Sequence, residues 1–153
     1  MANHHHKSRG RQDDQPNIDL TNFKQDCKAW IQEEFTPQTI EFAEIFGSYL
    51  VQNKLTTSQI RNIFGEVKRI QGKIQGNELP KEVYRDFLLL KPKMAYAAQR
   101  AGGRGITKFK EVMDEAYTAV VEAEESRRGA AFNSFTDFFE AILAYHKAAG
   151  GRD

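Results

Sequence analysis

The chain has 153 residues, 40% of them hydrophobic, and its 22 Lys and Arg against 21 Asp and Glu leave a formal net charge of +1. That length makes one ordinary domain and is too short for two. One cysteine excludes an intramolecular disulfide framework and a cysteine-based zinc site, and no apolar run approaches the roughly 18 residues of a membrane span.

The N-terminal segment MANHHHKSRGRQDDQP is polar throughout, so a flexible tail over residues 1–17 is expected, with no secretory leader and a cytoplasmic location. The three histidines in it read as a tag remnant or a chance tract rather than a metal site. From residue 18 to 153 the apolar spacing is helical almost everywhere, with no alternating strand, and predicts a single helical-bundle domain. Leu20, Phe23, Cys27, Trp30 and Ile31 share one face of a first helix that Asp19 is placed to cap. Cys27 on that face reads as a small core residue rather than a nucleophile. Thr36-Pro37 starts a second helix carrying Ile40, Ala43, Phe46, Tyr49 and Leu50.

The third start is the most complete. Thr56 and Gln59 have capping-box spacing, and Leu55 and Ile60 occupy the two positions of a hydrophobic staple. Ile60, Ile63, Phe64, Val67, Ile70 and Ile74 mark the buried stripe, and Gly72 and Gly76-Asn77 end the helix. Leu79-Pro80 opens a fourth segment with Val83, Phe87, Leu88 and Leu90. Pro92 then either kinks it or begins a new helix in its first turn. A further helix is predicted from about Thr107 to Ser126, with Phe109, Val112, Met113, Ala116 and Val120 on its inner face. The last is predicted to begin near Ser134, which has capping-box spacing to Asp137, and carries Phe135, Phe138, Phe139, Ile142 and Tyr145. The fold expected is all-α, a compact bundle of five to six helices with short connections.

The net charge hides a segregation. Residues 12–53 hold two cations and eight acids, residues 54–108 twelve cations and four acids, and residues 109–153 five cations and nine acids. A polyanion-binding protein needs only a local basic patch, so the near-neutral total does not exclude nucleic acid. Enzyme signals are lacking: the sequence has no HExxH, Walker loop, G-x-S-x-G or CxxC pair. Glu140 and His146 lie six residues apart, on opposite sides of one helix, and do not make a proton-transfer pair. His146 reads as a ring that packs or meets the helix dipole, and Glu122, Glu124 and Glu125 as a solvated face. No catalytic residue, metal site or cofactor is assigned.

The candidate site is the basic middle. Arg61, Gly65, Lys68 and Gly72 share one face of the third helix, with Arg69 and Lys73 on an adjoining edge. The two glycines admit two explanations, close approach of a bulky partner or tight helix–helix packing. A second cluster, Lys91, Lys93, Arg100 and Arg104, surrounds the proline, with Tyr96 among the cations and able to stack on a base or ribose.

Three strings in this order, LTTSQIRNIF (55–64), LLLKPKMAYAAQR (88–100) and FFEAILAYHKAAGG (138–151), resemble the small subunit of type III-A CRISPR effector (Csm) complexes. The resemblance implies a helical bundle without catalytic activity, stacked in several copies beside the backbone subunits. It also implies contact with the guide RNA and its paired target RNA in antiviral defence, partnership with the backbone and large subunits, and no membrane association. In that resemblance Arg61 matches the arginine of a TTS-x-x-R block, and Lys91, Tyr96 and Arg100 match an L-[RK]-P-x-x-x-Y-x-x-x-R block. Lys91 stands where an arginine is expected and lacks the bidentate fork. Lys68, Arg69, Lys93 and Arg104 join the RNA-binding set on charge alone. The expectation is sequence-independent contact with RNA phosphates, and the alternative is a structural adaptor that docks on protein partners without touching RNA.

Overall fold

Helix starts written as local chemistry and starts supplied by a distant partner both occur in this chain. The computed structural model describes residues 17–74 and 76–152, in which helices follow one another with no strand. They are α1 (Phe23–Gln32), α2 (Pro37–Gln52), α3 (Thr57–Gln71), α4 (Lys81–Leu88), α5 (Leu90–Ala101), α6 (Arg104–Val121) and α7 (Arg128–Ala148), with a 3₁₀ turn at Glu125–Arg127. Leu89 alone separates α4 from α5, so the bundle has six rods of which one is broken. The expected tail, including the histidine tract, lies outside the described residues except for Asn17. No described helix is long and apolar enough to cross a membrane.

The capping box predicted at α3 forms, and α2 starts with one as well. The Thr36 N–H donates to Thr39 Oγ1 at 2.9 Å, and the Thr56 N–H donates to Gln59 Oε1 at 2.9 Å. Each returning bond satisfies a backbone donor that the first turn otherwise leaves without a partner. The staple residues Leu55 and Ile60 are both buried in the core. Asp19, in contrast, does not cap α1. Its carboxylate accepts the Thr21 N–H at 2.9 Å in a local turn, and the helix starts only after Asn22.

The last helix begins at Arg128, six residues before the predicted start, so Ser134 and Asp137 lie inside it and cap nothing. The Gly129 N–H donates to the Asn77 carbonyl at 2.9 Å, and a Cβ on Gly129 would lie 2.6 Å from that carbonyl. The loop after α3 thus serves the first turn of α7 in place of a side-chain cap.

α7 runs through the centre of the bundle and packs on α1, α2, α3 and α6. Phe132, Phe135, Phe138, Phe139 and Ile142 are fully buried along it, and a helix enclosed on so many sides is apolar around most of its circumference. Its closest neighbour is α2, where a Cβ on Gly47 would lie 2.7 Å from Tyr145 Cβ and 2.8 Å from the His146 backbone nitrogen. α2 turns the row Thr39, Ala43, Phe46 and Leu50 inward, which leaves the predicted core residue Ile40 exposed. Leu88 is also exposed, at the end of α4. Cys27 is fully buried, and that burial, with Glu115 nearby, pushes its thiol up to about 12, as a core residue rather than a nucleophile requires.

The break at Leu89 follows from Pro92. A proline removes one helical donor and crowds the carbonyl four residues earlier, which here is that of Leu88. The Tyr117 hydroxyl of α6 donates to that carbonyl at 2.9 Å, so the bond that Pro92 cannot make is replaced from a neighbouring helix. Pro92 itself falls in the first turn of α5, where a missing N–H costs nothing.

Candidate nucleic-acid interface

α3 and α5 lie side by side and leave a groove of about 1100 Å³ between them. From α3 it is lined by Ser58, Gln59, Arg61, Asn62, Ile63, Gly65, Glu66 and Arg69, and from α5 by Leu90, Pro92, Lys93, Tyr96, Ala97, Arg100 and Ala101. Ile63 and Leu90 are buried beneath it. Five of the eight residues singled out from sequence therefore meet in one place: Arg61, Arg69, Lys93, Tyr96 and Arg100.

The other three point elsewhere. Lys68 is one residue from Arg69, hence turned about 100° around the helix, and its ammonium donates to Gln71 Oε1 at 3.0 Å. Lys91 sits on the α6 side of α5, its ammonium 5.6 Å from the centre of the Tyr117 ring. Arg104 opens α6, exposed and outside the groove. The row on α3 that faces the groove is Arg61, Gly65 and Arg69, at spacings of four, and not the row through Lys68 and Gly72.

Two carboxylates temper the positive charge, and sequence reasoning did not pick them out. Glu66 accepts Arg69 Nε at 3.0 Å and Arg69 Nη2 at 2.8 Å, and lies 3.7 Å from Lys93 Nζ. The Arg69 hydrogen bond, with the Lys93 charge, holds its carboxyl below the usual range. Asp86 of α4 lies 3.6 Å from both Arg69 Nη1 and Lys73 Nζ. The spacing of Glu66 to Arg69 is a readable helical pair, whereas the pairings to Lys93 and Asp86 bring together different helices. Among the described residues Arg100 enters no ion pair.

Gly65 resolves the choice between close packing and open approach. A Cβ there would meet nothing within 4 Å among the described residues, so no described helix packs against it. Glycine in a helix interior is about 1 kcal/mol less favourable than alanine, and no contact among the described residues offsets that cost.

The groove is held from the far end of the molecule. His146 is fully buried and its Nε2–H donates to the Leu55 carbonyl at 2.7 Å, just before α3. Gly151 lies against the imidazole with no space for a Cβ, and the Thr57 N–H donates to the Arg152 carbonyl at 2.7 Å. The C-terminal residues thus fasten the first turn of α3, and Glu140 is exposed and far around the helix from His146. Among the described residues no three metal-ligating side chains converge.

The family model for Csm2 Type III-A matches residues 33–152, which takes in every helix from α2 to α7 and both walls of the groove. The chain belongs to the Csm2 Type III-A family. No curated protein and no solved structure matches it. Membership makes the chain a subunit of a type III-A CRISPR effector complex, in agreement with the three sequence strings, all of which fall inside the match. α1, outside the Csm2 match, contributes Phe23, Cys27, Trp30 and Ile31 to the core.

Proposed function

We propose that this Csm2-family subunit is non-catalytic and binds RNA through the groove between α3 and α5. It contacts the phosphates of the guide and target strands without reading their sequence, as one of several stacked copies in cytoplasmic antiviral defence. The observation that carries the reading is the convergence of Arg61, Arg69, Lys93 and Arg100 in one groove of a chain whose net charge is only +1. A guide complex accepts any spacer, and phosphate contacts suit that requirement where base-edge contacts do not. Contacts to three or four phosphates give a slope of about 2–4 in the logarithm of affinity against the logarithm of salt. One small patch binds weakly alone and gains when arrayed.

The test is Arg61→Glu with Arg100→Glu in the reconstituted effector complex. Target-RNA affinity is expected to fall at least tenfold and the salt slope to flatten, while the circular dichroism of the isolated chain shows the helical fold retained. Unaltered target binding would overturn the assignment. The pairing of Arg69, Lys73 and Lys93 with Glu66 and Asp86 favours a second reading, in which the basic face serves structure and the subunit is an adaptor docking on proteins alone. Photocrosslinking the RNA in the complex separates the two: adducts on Tyr96 or Lys93 support RNA binding, and adducts confined to other subunits support the adaptor.

A further inference from the structure

The groove holds more than phosphate binding uses. Its cations lie along a cleft whose base is apolar, formed by Ile63, Leu90 and Ala97. In its wall stands Tyr96, 67% exposed, the largest fraction among the exposed large hydrophobic side chains of the described residues. A paired duplex turns sugars and phosphates outward and keeps the faces of its bases stacked inside, so it would meet the cations and leave the aromatic wall idle. A single strand can offer a base face to a tyrosine while its phosphate stays on a cation, and because every base has such a face the contact tolerates any sequence. On the facing helix Gly65 leaves bare backbone, with no atom of the described residues outside its own helix turn within 4 Å of where a Cβ would stand. That open space lies on the same groove as Tyr96.

We infer that the groove seats one unpaired nucleotide of an RNA strand, its base stacked on Tyr96 and extending into the space over Gly65, its phosphate held among the groove's cations, Arg100 foremost. The inference rests on the RNA-binding reading above and narrows it from duplex backbone to an unpaired residue. A volume of about 1100 Å³ accommodates a nucleotide with the start of its neighbours. Glu66, in the same groove, disfavours a second phosphate beside Arg69 and Lys93, which places the phosphate toward Arg100.

The experiment uses the full chain at low ionic strength with a fluorescein-labelled single-stranded RNA of mixed sequence, and the same strand annealed to its complement. Anisotropy is expected to show the single strand bound about tenfold more tightly than the duplex. Tyr96→Ala is expected to weaken single-strand binding about tenfold, the lower-middle range for loss of one base–aromatic stack, and to leave duplex binding unaltered. Tyr96→Phe retains the preference because the ring remains. Gly65→Leu, which keeps a strong helix former on α3, fills the space and abolishes the preference as Tyr96→Ala does. Equal binding of single strand and duplex, with Tyr96→Ala silent and Arg61→Glu with Arg100→Glu weakening both, overturns the nucleotide seat and leaves the phosphate reading standing. No binding of either RNA, in the isolated chain and by crosslinking in the complex, overturns both.

Discussion

Glu66 is the residue at which charge balance and function meet. It stands in the groove between Arg69 and Lys93 and would face any phosphate that approached them. Removing one unit charge about 4 Å from a phosphate changes the Coulomb energy by about 1 kcal/mol in water, or about fivefold in affinity. Glu66→Gln is therefore expected to tighten RNA binding by up to about fivefold at low salt, with the gain lost at high salt, as anisotropy titrations would register. Its carboxyl is held below the usual value of 4.5, chiefly by the Arg69 hydrogen bond, so its contribution to stability is present above that pH and disappears as the pH falls through the depressed folded value. The pair is exposed to solvent, and the Tm of Glu66→Gln at neutral pH should differ little from that of the parent. Loosened RNA binding in this variant would mean that Glu66 orients the cations rather than competing with phosphate. The positions of these cations and the Glu66–Arg69 pair could be read from the sequence, but the pairings of Lys93 with Glu66 and of Arg69 with Asp86 could not, because Lys93 and Asp86 reach them from other helices.

At the level of the helices, two interior glycines predict opposite outcomes. Gly47→Ala places a methyl 2.7 Å from Tyr145 Cβ and against the backbone of α7, which cannot yield without moving the central helix. A loss of about 2–3 kcal/mol is expected from such overpacking. Gly65→Ala meets nothing and gains helix propensity, so a rise in stability of about 0.5–1 kcal/mol should appear in urea unfolding. Two glycines with the same helical setting are alike in sequence; the neighbouring helix distinguishes them. The break between α4 and α5 makes a related point. Pro92 announces an interruption, but the donor that replaces its missing bond is Tyr117, 29 residues from the carbonyl it serves. Tyr117→Phe leaves the Leu88 carbonyl without that donor and is expected to lower stability by about 1 kcal/mol in the same assay.

Across the whole molecule, the C-terminal end of α7 and the first turn of α3 act as one joint. His146→Ala removes a fully buried ring and leaves the Leu55 carbonyl without its donor. The combined cavity and unsatisfied carbonyl should cost about 2–4 kcal/mol, lowering Tm by roughly 5–15 °C for a chain of this size. Because α3 forms one wall of the groove, RNA affinity at temperatures well below the new Tm should also fall, by a smaller factor than for Arg61→Glu with Arg100→Glu. Full RNA affinity in His146→Ala would show that α3 holds its place without the joint.

The sequence by itself determined that this chain is helical, where α2 and α3 begin, which stripe of α3 is buried, and that the cations gather in its middle third. The helical elements are properties of neighbours three or four residues apart, for which spacing and capping chemistry suffice, and the charge is a count along the chain. Its three strings also pointed to the family that the match over residues 33–152 establishes. Only the tertiary structure decided that α7 starts at Arg128, since the partner of its first turn is the distant Asn77. It likewise decided that Arg61, Arg69, Lys93, Tyr96 and Arg100 share a groove while Lys68, Lys91 and Arg104 do not. A net charge of +1 says nothing of this, because a groove is made by the packing of two helices, and each cation's direction depends on which side of its helix the neighbour occupies.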